Sequence, residues 1–141
     1  MATKNAPVSC KVDGTEFSAA EAAFVMDSQI AREGLPQHAV PNMSVHVRID
    51  LNNGTCDFAT IKKLFQLSKE PSKENIKDMS IVFWVSLKDN NATCSYQFRG
   101  WVSSFRTSYS GHGNGNYGQV LDVVLTPDTS KDNFPKIDLS N

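Results

Sequence analysis

The sequence predicts a mainly β fold of the α+β class: an antiparallel barrel- or sandwich-like sheet with one central helix and projecting hairpin arms. Three observations lead there. Residues 43–51, MSVHVRIDL, alternate apolar Met43, Val45, Val47, Ile49 and Leu51 with polar Ser44, His46, Arg48 and Asp50, the period of a half-buried strand. Two further runs, residues 79–87 and 119–126, are rich in β-branched or aromatic residues and have strand composition. Residues 57–67 supply one capped, amphipathic helix between these strands.

Taken in order, residues 8–12 and 15–17 flank Asp13-Gly14, whose tolerance of positive φ suits the two-residue turn of a hairpin. Residues 19–41 admit two readings. AAEAAFVMDSQIAREG holds good helix formers with Gly34 as a C-cap, whereas Phe17, Ala19, Glu21 and Ala23 can continue a strand. GLPQHAVP, with its two prolines, reads as an extended loop. After the strand at 43–51, NNGT ends the element. Asp57 then caps a helix with Phe58, Ile61, Leu64, Phe65 and Leu67 on its apolar stripe and Lys62, Lys63 and Gln66 outside. Pro71 and the polar residues around it stop that helix. MSIVFWVSL, residues 79–87, is apolar on nearly both faces, as expected of a strand covered on both sides. Asp89-Asn90-Asn91 turns the chain into a long strand, residues 93–105, with Tyr96, Phe98 and Val102 on one face and Gln97, Arg99, Trp101 and Ser103 on the other. Residues 119–126 form the last strand. The division is therefore one β domain over residues 1–127 and a polar, mobile C-terminal tail over 128–141.

The 141 residues suit one domain with its own core, and 40% hydrophobic with 21% charged residues place the chain among globular proteins. Net charge is −1 with no block of like charge, so neither specific nucleic-acid binding nor a membrane surface is expected. No segment has the length or apolarity of a signal or a membrane span, which points to a soluble cytosolic chain without membrane insertion. Cys10, Cys56 and Cys94 are odd in number and far apart, and read as reduced, buried, small apolar residues. The Asn-x-Ser/Thr triplets at Asn42, Asn53 and Asn91 read as chance in such a chain.

No catalytic constellation emerges, and no cofactor or metal is expected. Gly113-x-Gly115-x-x-Gly118 has the spacing of a pyrophosphate loop, but a strand follows it where a helix N-terminus is needed. Ser110 and His112 lie in that loop without the surroundings of a nucleophile elbow, and His38, His46 and His112 share no ligand spacing. Asp122 stands mid-strand among apolar residues and is expected to face a wet lumen or a partner's basic group. Trp84 and Trp101, on neighbouring strands, offer either core packing or a sugar-stacking platform.

The hairpin at Asp13-Gly14 and the glycine-rich connection at residues 110–118 offer β arms for pairing with other chains. Here the order of elements resembles a known family. YQFRGWVSSF, a variable loop and LDVVLTP resemble the closing hairpin of tail-tube proteins. These comprise the type VI secretion tube protein (Hcp family), related contractile injection systems, and the major tail tube proteins of phages. FRGWVSS is close to the phage members. The succession KVDGTEF, a long arm, MSVHVRIDL, FATIKKLFQL and MSIVFWV is closer to the secretion members. The resemblance covers residues 8–127.

It implies a structural subunit, not an enzyme, that self-assembles into hexameric rings stacked as a hollow tube delivering effectors through its lumen. Sheath, spike or baseplate proteins and effector cargo are its implied partners. The implied location is the bacterial cytoplasm when assembled, with expulsion or secretion without a signal peptide, or a virion tail for a phage protein. By the same resemblance Ser44, His46, Arg48, Asp50, Gln97, Arg99 and Ser103 line the lumen. Asp13, Gly14, Gly111, Gly113, Gly115 and Gly118 make ring contacts, the long arm at 19–41 joining them. The reading from a different class is a non-catalytic carbohydrate- or protein-binding β domain that uses Trp84, Trp101 and the glycine loop.

Overall fold

The computed structural model describes residues 8–28, 34, 42–51, 56–70, 72–86, 91–109, 119–129 and 135–140. Strands β1 (Val8–Val12) and β2 (Thr15–Ala19) form the expected hairpin, in register from Val8↔Ala19 to Val12↔Thr15. Asp13 at φ 49° and Gly14 at φ 82° make the turn, the two positive angles that match the twist of the paired strands. β3 (Glu21–Asp27) pairs with β4 (Asn42–Asp50). Of the two readings of residues 19–41, the strand is therefore the one observed over its first part. Local helix propensity there yields to the ladder offered by β4.

Helix α1 (Phe58–Lys69) begins where the cap predicts: the Asp57 carboxylate accepts from the Thr60 amide at 2.9 Å and from Thr60 Oγ1 at 2.8 Å. Its buried stripe differs from the expected one. Thr60, Leu64 and Leu67 are buried and Ile61 packs beside them, whereas Phe58 is 89% exposed. Phe58 occupies the first helical position and faces solvent. Phe65 is partly exposed but meets Phe105 edge-on, with ring centroids 5.5 Å apart. A short 3-10 turn, Lys73–Asn75, leads into β5 (Lys77–Ser86).

β6 (Asn91–Tyr109) is long enough to serve two neighbourhoods. Its first half pairs with β5, from Ser86↔Asn91 to Lys77↔Gly100, and its second half with β7 (Gln119–Pro127). A bulge at Ser103 sets Val102 opposite Leu125 and Ser104 opposite Val124. The extra residue keeps both Val102 and Phe105 on the core side, which strict alternation forbids. At Gly100 there is no room for a side chain, because an added Cβ runs into the Thr126 carbonyl. β8 (Lys136–Ser140) pairs with β6 from Gln97↔Lys136 to Thr93↔Ser140. It lies in the stretch expected to be a mobile tail, where the sequence reading placed no element.

The strand order is β2-β1-β5-β6-β7-β4-β3, with β8 added on β6. β2 and β3 stand at opposite ends of this order yet follow each other in the chain, divided only at Ala20, whose amide donates to the Arg48 carbonyl at 2.9 Å. The continuous segment thus brings the two ends of the order together at Ala20, while β3 beyond it keeps one edge with no strand beside it among the described residues. Val45, Ile49, Leu121 and Leu125, with Val47, Val123, Val102 and Ile81, fill the interior. Phe24 stacks on Tyr96 with centroids 4.5 Å apart, and Tyr96 on Phe83 at 5.8 Å, so an aromatic layer also links β3 to β5 and β6. Cys10, Cys56 and Cys94 are free and buried, and burial pushes the Cys10 thiol up to about 12.

Candidate functional site

The alternation that buries one side of β4 presents Ser44, His46, Arg48 and Asp50 on its other side. The registers extend that polar face across four strands, β3-β4-β7-β6. Glu21 stands opposite Arg48, Arg48 opposite Asp122, and Asp122 opposite Arg106. The row is acid, base, acid, base. One step along, Ala23, His46, Val124 and Ser104 form the next row.

Arg48 is the hub of the charged row: its Nε donates to Asp122 Oδ1 at 3.1 Å, and a terminal nitrogen lies 4.0 Å from Glu21 Oε2. Asp122, through its hydrogen bond and then its charge, and Glu21 behind it hold the guanidinium above its ordinary pKa. Asp122, expected to face a wet lumen or a partner's basic group, has a basic group of its own chain beside it. Arg106, the last member, makes no hydrogen bond or ion pair among the described residues. Glu21, His46, Arg48, Ser104, Arg106 and Asp122 line a shallow depression of about 320 Å3 on this face. His46 Nε2 and Ser44 Oγ are 3.2 Å apart, and His46 is otherwise a solvent-facing strand residue.

The expected lumen set is divided by this geometry. Ser44, His46, Arg48, Asp50 and Ser103 belong to the four-strand region, where Ser103 Oγ donates to the Val124 carbonyl at 3.1 Å and accepts from Thr126 Oγ1 at 2.7 Å. Gln97 and Arg99 point to the same side of the sheet, but on the half of β6 flanked by β5 and β8. Arg99 Nε lies 3.2 Å from Asp78 Oδ1 and its side chain also donates to the Ile76 carbonyl at 3.0 Å. Glu21, Ser104 and Arg106 were missing from the expected set. Glu21 was hidden by the ambiguity of residues 19–41, and Ser104 and Arg106 by the bulge, which reverses the parity of the strand beyond Ser103.

Asp13 and Gly14 are exposed at their turn, but the turn is tied to the domain. Lys63 Nζ donates to the Asp13 carbonyl at 2.8 Å and to Thr15 Oγ1 at 2.9 Å, and the Asp13 amide donates to the Asp78 carbonyl at 2.8 Å. Gly111, Gly113, Gly115 and Gly118, with Ser110, His112 and His38, lie outside the described residues. The registers set the backbone of Trp84 far from that of Trp101. Trp84 pairs with Thr93 and Trp101 with Thr126, so they are separated by eight β6 positions, about 26 Å at ~3.3 Å per residue. Among the described residues no group of three or more His, Cys, Asp or Glu is placed to hold a metal, and no helix is long and apolar enough to cross a membrane.

No protein-family model and no curated protein matches the sequence. Solved structures do share its shape. Hcp1 from Flavobacterium johnsoniae superimposes with a TM-score of 0.60 at 13% identity, covering 94% of each chain. The tube-terminating cap of the anti-feeding prophage gives 0.57 at 11% identity, over 99% of this chain and 93% of that one. The sheath/tube terminator of the extracellular contractile injection system PVC, in its extended state, gives 0.52 at 10% identity, over 100% and 98%. The mainly β, α+β architecture read from the sequence is therefore the tail-tube fold, and this chain shares that fold with Hcp1 and with the two tube-terminating proteins.

Proposed function

We propose that this chain is a structural subunit of the hollow tube of a contractile injection machine, of the type VI secretion kind or a relative of it, with no catalytic role. Copies join sheet to sheet into rings, hexameric by the family resemblance, and the rings stack. The polar face of β3, β4, β7 and β6 then lines the lumen through which effectors pass, and sheath, spike or baseplate proteins bind outside. Assembly takes place in the bacterial cytoplasm, with expulsion on contraction; a phage tail tube is the alternative setting. The observation that carries the reading is the polar four-strand face ending in two strand edges, on β3 and on the second half of β6, that have no strand beside them among the described residues. The shared fold supports it.

Two of the three structures above are terminators, which favours a second reading in which the chain ends a tube rather than extends it. Light scattering followed by negative-stain electron microscopy of the purified protein tests both. Rings that stack into tubes at high concentration support the tube subunit, single rings that never stack support the terminator, and a monomer at every concentration overturns both.

A further inference from the structure

The charged row on the polar face is unbalanced at its ends in complementary ways. Among the described residues, β3, which carries Glu21, pairs only with β4, and the half of β6 that carries Arg106 pairs only with β7. The row therefore starts with an acid at one open edge and finishes at the other with a base that has no ion-pair partner among the described residues. Inside the row every neighbour is of opposite sign, and Arg48 shows that the spacing brings such neighbours into contact, at 3.1 Å from Asp122.

Strand direction fits the same join. β6, β7, β4 and β3 alternate in direction, so β3 runs opposite to β6. A second copy related by rotation about an axis along the strands brings its β6 antiparallel to the first copy's β3. The positions next to the charges are Ala23 and Ser104, small enough for close approach of the two edges.

We propose that Glu21 of one copy pairs with Arg106 of the next, continuing the acid–base row across the subunit boundary and fixing the register in which the two edges meet. The partner is a second copy of this chain, joined head to tail. The inference rests on the ring reading above and adds the residue pair that sets the join. Because the contact is heterologous, each copy gives one acid and receives one base, and the row closes only when the ring does. Like charges at this position oppose pairing, and salt weakens it.

The test uses Glu21→Arg, Arg106→Glu, the double variant, and Lys62→Glu on the outer face of α1 as a control, with circular dichroism to establish that each is folded. Sedimentation velocity over a concentration series reads assembly. Each single variant is expected to require at least about tenfold more protein to assemble, a loss of roughly 1.4 kcal/mol. An equimolar mixture of the two single variants, and the double variant alone, are expected to regain assembly. Wild-type assembly with all variants behaving alike overturns the pair but leaves the ring reading intact. Single variants that fail without rescue by mixing or by the double change also overturn it. A wild-type protein that stays monomeric overturns both the pair and the ring.

Discussion

Lys63 Nζ lies 2.8 Å from the Asp13 carbonyl oxygen, so α1 holds the turn between β1 and β2 by a side chain fifty residues away in sequence. The same ammonium reaches Asp13 Oδ2 at 3.5 Å, with side chains 33% and 45% exposed. Solvent screening keeps the ion pair weak, and the two hydrogen bonds supply most of the effect. Lys63→Met is expected to lower stability by less than about 1 kcal/mol. Amide exchange at residues 13–16 should quicken while that of β7 stays unchanged. Unaltered exchange at the turn would show that the backbone angles of Asp13 and Gly14 suffice to hold it.

Gly100 and Gly14 predict different outcomes for the same substitution. At Gly14 an added methyl has open space and only the φ of +82° opposes it. At Gly100 the methyl overlaps the Thr126 carbonyl, with Pro127 Cα 3.1 Å away, and backbone must move. Gly100→Ala should cost about 1–3 kcal/mol and is expected to lower the urea midpoint more than Gly14→Ala does. The reverse order would contradict the close crossing of β6 and β7.

Leu64 and Phe58 separate packing from hydrophobicity. Leu64 is 1% exposed and Phe58 89% exposed on the same helix. Leu64→Ala is expected to cost roughly 2–5 kcal/mol. Phe58→Ala should leave the melting temperature of the monomer within about 2 °C of wild type, given ~0.5 kcal/mol or less for an open surface site. Comparable losses in thermal unfolding would mean that Phe58 is buried in solution.

Asp57 gives a pH dependence whose sign follows from its bonds. The Thr60 amide, and then the Thr60 hydroxyl, hold the carboxylate below its usual pKa. A depressed folded-state pKa means stability that is present above the unfolded value, near ~3.9, and lost as pH falls through the folded one. Asp57→Ala should therefore melt below wild type at pH 7, and the gap should narrow below about pH 4. A gap independent of pH down to pH 2 would remove the charged cap from the account.

Much of the fold was legible because its signals are local. Asp13-Gly14 needs only its own φ preferences to make a turn, Asp57 only Thr60 to make a cap, and β4 only its alternation to choose a buried face. β3 and β8 were not legible in the same way. Residues 21–27 suit helix or strand about equally by composition, and Lys136–Ser140 carries too little apolar pattern to declare itself. Each becomes a strand because β4 or β6 offers unpaired backbone groups alongside it.

The same division runs through the candidate site. By itself the sequence determined that Ser44, His46, Arg48 and Asp50 share a wet face, because a strand with a period of two leaves no other arrangement once Val45, Val47 and Ile49 are buried. Only the tertiary structure decided which residues stand beside them. Glu21, Asp122 and Arg106 come from three other strands, and their alignment with Arg48 depends on three registers and on the bulge at Ser103. A register is fixed by cross-strand packing and by the turns that join strands, and a one-residue slip reverses every face. The acid–base row is therefore a property of the assembled sheet, and no segment of the sequence contains it.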